Sequence, residues 1–240
     1  LYNNTTGYSN VAVGFQALGN NTTGYQNTAV GSSALPLNTT GNANTAFGRN
    51  TLGSNVTGSN NTAVGWAALQ TNTANNNTAV GYQALVLNTT GTPNDAFGFQ
   101  ALYSNTTGTD NTAIGSASQA SNTTGSANVA VGTNTLNANT VGSSNTAIGQ
   151  GAMQVNTASN NTAVGRLALR NNTSGTPNDA FGYQALYSNT TGTANVGIGY
   201  QTLYSQTVAT NNTALGYVAG YNATGSNNTL IGKEAGYNTT

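Results

Sequence analysis

Groups able to do acid–base or nucleophilic chemistry are almost missing from this chain. Its 240 residues hold four acids, four bases, no histidine and no cysteine. A Ser-His-Asp triad needs an imidazole, a zinc site needs imidazoles or thiolates, and general acid–base work by carboxylates needs two acids close together. We therefore expect a non-catalytic protein with no cofactor and no metal. Asp95 and Asp179 sit in the most regular setting, each following Pro-Asn. Calcium takes about six to eight oxygen ligands and usually several acids, so each Asp reads better as a turn cap after proline. The formal net charge is zero, which leaves neither an electrostatic footprint for nucleic acid nor a polybasic patch for a membrane surface. Without cysteine there is no disulfide framework, and the redox compartment stays open.

Recognition without charge falls to amides, hydroxyls and aromatic rings. One position of the sequence repeat described below carries Phe15, Arg49, Trp66, Tyr82, Phe99, Arg166, Tyr183, Tyr200 and Tyr217. Exposed aromatics in a row suit a sugar- or protein-binding stripe, through stacking and area burial. The plainer reading makes them rim residues that cover Ala and Gly edges or lie between chains.

These residues are placed by a short repeat. Asn-Thr-Ala-Val-Gly, unaltered at 27–31, recurs fourteen times, its glycines falling from Gly14 and Gly31 to Gly216 and Gly232. Successive copies are 17 residues apart, except for 16 at Gly65 to Gly81, Gly149 to Gly165 and Gly216 to Gly232. A fixed short period is the signature of a solenoid with one coil per repeat. The expected fold is an all-β parallel β-solenoid, a β-roll of two sheets with 14 coils, forming one continuous body over residues 1–240 with no separate domains. At ~4.8 Å per coil it would span about 67 Å. Both ends break mid-coil, so we expect an excerpt of a longer fibre, uncapped at either end.

Position one of the repeat is always asparagine: Asn10, Asn27, Asn44, Asn61, Asn77, Asn94, Asn111, Asn128, Asn145, Asn161, Asn178, Asn195, Asn212 and Asn228. Stacked copies of an amide can bond coil to coil as a ladder. Position two is mostly Thr, with three Val and two Asp, and is expected at a rim. Position three is Ala in twelve copies, Gly197 and Leu230 being the exceptions, and position four is always apolar. Neighbouring strand residues face opposite ways, so only one of these two rows can be inside. We expect position four, including Val80, inside; the reverse choice would leave Val, Ile and Phe outside. The invariant glycine at position five suits a bend with positive φ or a close backbone approach. A second short strand is expected around Ala-Leu, as at Ala84 and Leu85, with Leu as the second core residue. Asn-Thr-Thr-Gly then makes the return turn, and two of the shortened coils lose their residue there, at 72–77 and 156–161.

The stretch 91–109 is repeated at 175–193 with one change, Phe99 to Tyr183. This suggests tandem copying above the level of the coil. No run of about eighteen apolar residues occurs, and hydration has to come from Asn, Thr, Ser and Gly, which suits a surface outside the cell. The many Asn-x-Thr sequons would matter in a eukaryotic or archaeal secreted protein and are simply turns otherwise.

The Asn-Thr-Ala-Val-Gly box followed by Ala-Leu resembles the Ser-Val-Ala-Ile-Gly box of the head repeats of trimeric autotransporter adhesins, and is similar to repeats of bacterial and phage tail-fibre proteins. The resemblance covers nearly all 240 residues. It implies a left-handed parallel β-roll, three chains side by side, an extracellular place on a cell or virion surface, and binding to a host-surface protein or glycan. The family's coils are shorter, because these add Asn-Thr-Thr-Gly, and Thr here usually replaces the family's Val. The expected function is a structural or adhesive fibre segment, with a self-assembling filament subunit or an ice-binding solenoid as alternatives. Against ice, the Thr residues come as pairs in turns and not as the alternating Thr-x-Thr of one strand face. A parallel homotrimer is expected, with Ala63, Ala79, Ala113 and Ala147, or else the position-four row, lining the contact.

Overall fold

A computed structural model describes residues 1–239. They form two compact units, Leu1–Thr124 and the residues from Gly125 onward, each a parallel β-solenoid built on one sheet. In the first, β1 (Val11–Val13), β2 (Thr28–Val30), β3 (Thr45–Phe47), β4 (Thr62–Val64), β5 (Asn77–Val80), β6 (Asn94–Phe97) and β7 (Asn111–Ile114) pair in sequence order. In the second, β8 (Val129–Val131), β9 (Thr146–Ile148), β10 (Asn161–Val164), β11 (Asn178–Phe181), β12 (Asn195–Ile198), β13 (Thr213–Leu215) and β14 (Thr229–Ile231) do the same. The register matches repeat position to repeat position throughout, as with Thr62 beside Thr78 and Ala63 beside Ala79. Among the described residues there is no helix.

The strands are short because the invariant glycine ends each of them. At Gly81 φ is +143°, and a Cβ there would lie 2.3 Å from the carbonyl oxygen of Gly98 in the next coil. Left-handed geometry and backbone contact both exclude a side chain, so the two readings of this position, bend and close approach, hold together.

The expected second strand does not form. Ala-Leu lies in a turn, with the position-seven residue and the Leu both at positive φ: Gln83 at 55° and Leu85 at 50°. Leucine in that region is costly, and two things hold it there. Its side chain is fully buried, and its N–H donates to the next coil, as from Leu85 to the Ala101 carbonyl at 3.0 Å. Each unit is therefore a single-sheet solenoid closed by stacked turns, not a two-sheet roll.

The choice of face is also reversed. Ala29, Ala46, Ala63, Ala79, Ala96 and Ala113 are completely buried. Position four points outward: Val13 is 57% exposed, Phe47 55% and Ile231 67%, and Val80 is half-buried. Position two shares that outward face. The reason is volume. At Gly197, which takes the place of Ala, even a Cβ would meet Leu186 Cγ at 3.4 Å and Thr202 Oγ1 at 3.0 Å, so the inner row has no space for a larger side chain. Leu230 at the same position is explained by its neighbours, because its own coil carries Gly236, and the coil before it Gly220, where Leu normally sits. A Cβ at Gly236 would be 2.5 Å from Leu230 Cδ2; the large residue has moved from the turn to the strand.

Candidate functional site

Two buried amide rows run from coil to coil beneath the surface and tie the coils together. The foreseen row at position one donates in two ways. Asn44 sends its backbone N–H to Asn27 Oδ1 at 3.0 Å and its Nδ2 to the same oxygen at 3.1 Å. A second row, from the Asn of Asn-Thr-Thr-Gly, was read only as a turn residue, yet it is a ladder too, with Asn38 Nδ2 to Asn21 Oδ1 at 2.9 Å and Asn105 Nδ2 to Asn88 Oδ1 at 2.8 Å. The rows meet at the turn glycine, whose carbonyl accepts from both. Gly58 O takes Asn55 Nδ2 at 2.9 Å and Asn44 Nδ2 at 2.8 Å. These amides are buried and, apart from two acceptors, paired, which keeps their cost low and removes them as recognition groups.

The shortened coils leave traces in this lattice. Where the turn loses a residue, Asn77 Nδ2 turns from its own row to Asn72 Oδ1 of the other, at 3.2 Å, and Asn161 Nδ2 turns to Asn156 Oδ1 at 3.4 Å. Asn55 Oδ1, one step before a shortened turn, and Asn189 Oδ1, one step before Gln206, have no hydrogen-bond partner among the described residues. Gln206 reaches across instead and accepts from Asn212 Nδ2 at 2.9 Å.

The candidate stripe at position six lies on the surface. Phe15, Arg49, Trp66, Tyr82, Phe99, Arg166, Tyr200 and Tyr217 are exposed and Tyr183 is half-buried. In the first unit Trp66, Tyr82 and Phe99 stack with centroids 5.0 and 5.4 Å apart. In the second, Tyr183, Tyr200 and Tyr217 stack at 5.2 Å per step, with the Arg166 guanidinium 5.8 Å from the Tyr183 centroid. Ring faces are spent on one another, so these rows offer edges and hydroxyls to a ligand. Sugar stacking on a ring face is open at the end of a row and at Phe15, which is 72% exposed.

A second aromatic row was not foreseen. Tyr187, Tyr204, Tyr221 and Tyr237 stack at 5.1, 4.9 and 5.2 Å, within 7° of parallel, and Arg170 lies 5.9 Å from the Tyr187 centroid. Their spacing of 17, 17 and 16 residues is the repeat itself, so alignment by coil could have found them. Burial pushes the Tyr204 phenol up, and the nearby Tyr221, Tyr187 and Tyr183 phenols push the same way.

Asp95 and Asp179 both lie on the outward sheet face, Asp95 between Thr78 and Thr112 and Asp179 between Thr162 and Val196. Among the described residues no group of three or more acids, histidines or cysteines could hold a metal ion, and no helix is long and apolar enough to cross a membrane. No protein-family model, curated protein or solved structure matches the chain.

Proposed function

We propose that this chain is a non-catalytic structural or adhesive segment of an extracellular fibre on a cell or virion surface, in which three copies pack side by side. The observation that carries the reading is the open sheet face. Parallel sheets are ordinarily covered on both sides, yet here the position-four row stands exposed, with Phe47 at 55%, Ile114 at 42% and Leu215 at 45%. A periodic apolar row is matched best by another object with the same period, and a second copy of the chain has it. The contact is made by positions two and four; the Ala row that seemed suited to it is buried inside the chain. The motif likeness to the adhesin heads supports three copies, and to tail fibres supports a virion as the other setting.

Native mass measurement and sedimentation on the segment test this. A trimer that falls apart when Val64 and Val80 are both changed to Asp, with the circular dichroism unchanged, is the expected result. A parent chain that stays monomeric at high concentration overturns it. Ice binding is favoured by one observation: Thr28, Thr45, Thr62 and Thr78 form a row on the open face and not only pairs in turns. Phe47 beside Val30 and Val64 breaks the flatness of that face. Thermal hysteresis in a monomeric sample would select ice over the fibre.

A further inference from the structure

The tyrosine row at position ten has a chemistry that neither the fold nor the fibre reading uses. A stack needs only flat rings, and Phe would serve; Tyr adds a group that loses an electron readily. Neighbouring rings in the row are 4.9–5.2 Å apart and within 7° of parallel. Because each coil repeats the one before, equivalent carbons of successive rings lie about one ring spacing apart, including the carbons ortho to the hydroxyls. The backbone holds this arrangement: Ser188 N–H donates to the Tyr204 carbonyl at 3.1 Å, Ser205 N–H to the Tyr221 carbonyl at 2.9 Å, and Asn222 N–H to the Tyr237 carbonyl at 2.8 Å. Tyr187, Tyr204 and Tyr221 are half-buried and Tyr237 is exposed, so a reagent reaches their edges. Composition removes the competing sinks other than tyrosine, and the position-six tyrosines of this unit stack less nearly parallel, at 17° and 10°. The chain has 12 tyrosines against no cysteine, no histidine, one methionine and one tryptophan; Met153 is fully buried, and Trp66 belongs to the other unit.

We propose that Tyr187, Tyr204, Tyr221 and Tyr237 form a site of oxidative cross-linking between successive coils, the oxidant being a peroxide used through a peroxidase. Two phenols each give up one electron and one proton, and the peroxide takes both pairs to become two waters. The two phenoxyl radicals couple through their ortho carbons. Each joined carbon then passes its hydrogen to its own oxygen as a proton, restoring two aromatic phenols linked by one carbon–carbon bond. The product is a covalent staple across one coil in a chain that has no cysteine to make a disulfide. It constrains the unfolded chain as any cross-link closing a short loop does. This inference needs the stacked row alone and stands whether or not the chain is part of a fibre.

The test treats the folded chain with peroxidase and limiting hydrogen peroxide, then locates links by dityrosine fluorescence and mass mapping. Links joining Tyr187 to Tyr204 or Tyr204 to Tyr221 within one chain, each with loss of two hydrogens, are expected, together with a raised unfolding temperature. The double variant Tyr204→Phe/Tyr221→Phe keeps flat rings in the row but separates the remaining phenols, and should lose the position-ten links while its circular dichroism is unchanged. A parallel pair of samples, oxidised by a photo-excited ruthenium complex with persulfate in buffer and in urea, should show the links several-fold depleted in urea. The proposal is overturned by no dityrosine in the folded chain, by links only between chains or only in the position-six row, or by the same pattern in urea.

Discussion

Ala79 and Val80 are neighbours in β5 with opposite fates. The first is completely buried and one of a row that is nearly all alanine; the second stands half-buried on an open face. By hydrophobicity alone the order should be the reverse, since Val buries more apolar area than Ala. Volume decides against it. The inner row lies against Leu side chains from the turns, and its one large exception is matched by changes in the residues it touches: Leu230 beside Gly220 and Gly236. Interior packing is felt at the level of single methylenes, and only the inner row shows such compensation. The outer row passes from Val64 to Val80 to Phe97 to Ile114 along one sheet.

The sharpest way to break this comparison is to put the same charge on each side. Ala79→Asp should cost about 3–5 kcal/mol as an unpaired buried charge, read as a fall in the urea midpoint. Val80→Asp should cost the fold of a single chain under about 1 kcal/mol, the usual span of strand preference, its larger effect falling on the contact between copies. Equal costs would mean the two faces are not distinct. Next in size is Gly81→Ala, where a left-handed φ adds about 1–3 kcal/mol to the overlap with the Gly98 carbonyl. The neighbouring outward change Val80→Ala should do far less, and a Gly81→Ala protein as stable as its parent would refute the close approach.

Within the interior, the amide rows should tolerate less than the alanines' apolar surroundings suggest. Asn88→Leu removes the acceptor of Asn105 Nδ2 and the donor to Asn72 Oδ1. Orphaned buried amide groups cost about 1–3 kcal/mol, whereas Gln83→Leu on the half-buried turn gives up one bond, from Gln100 Nε2, whose donor can turn to water, and should cost less; thermal unfolding of the pair separates them. The smallest effect concerns pH. The Tyr204 phenol is raised in the folded chain by burial and by its tyrosine neighbours, so the unfolded chain loses that proton first. The resulting stability is complete below about pH 10, the ordinary tyrosine value, and is lost as pH rises through the higher folded value. Tyr204→Phe should flatten the alkaline limb of the stability curve and leave neutral pH unchanged, and an unaltered alkaline limb would count against the burial.

Spacing made much of this legible. Fourteen glycines at intervals of 16 or 17 residues announce the coil, the strand and its stop, because only a stacked chain repeats a backbone constraint at a fixed interval. The Asn row could be read for the same reason, since an amide repeated in register has its own copy as partner. The Ala-Leu strand failed as an expectation because apolar residues suit a buried turn as well as a strand, and the backbone of Leu85 is fixed by contacts with the next coil. The position-ten tyrosines recur at the same interval but are less legible, because only five of the fourteen coils carry Tyr there: Tyr103, Tyr187, Tyr204, Tyr221 and Tyr237.

What the chain determined by itself is its period, the strand before each repeated glycine and the position-one ladder, all of which depend on residues meeting their own copies. Which side of the strand faces inward was decided only in three dimensions. That choice depends on how much space the turn leucines leave beneath the sheet, a quantity set by groups from two coils and two parts of the repeat. No local pattern of alternation carries it.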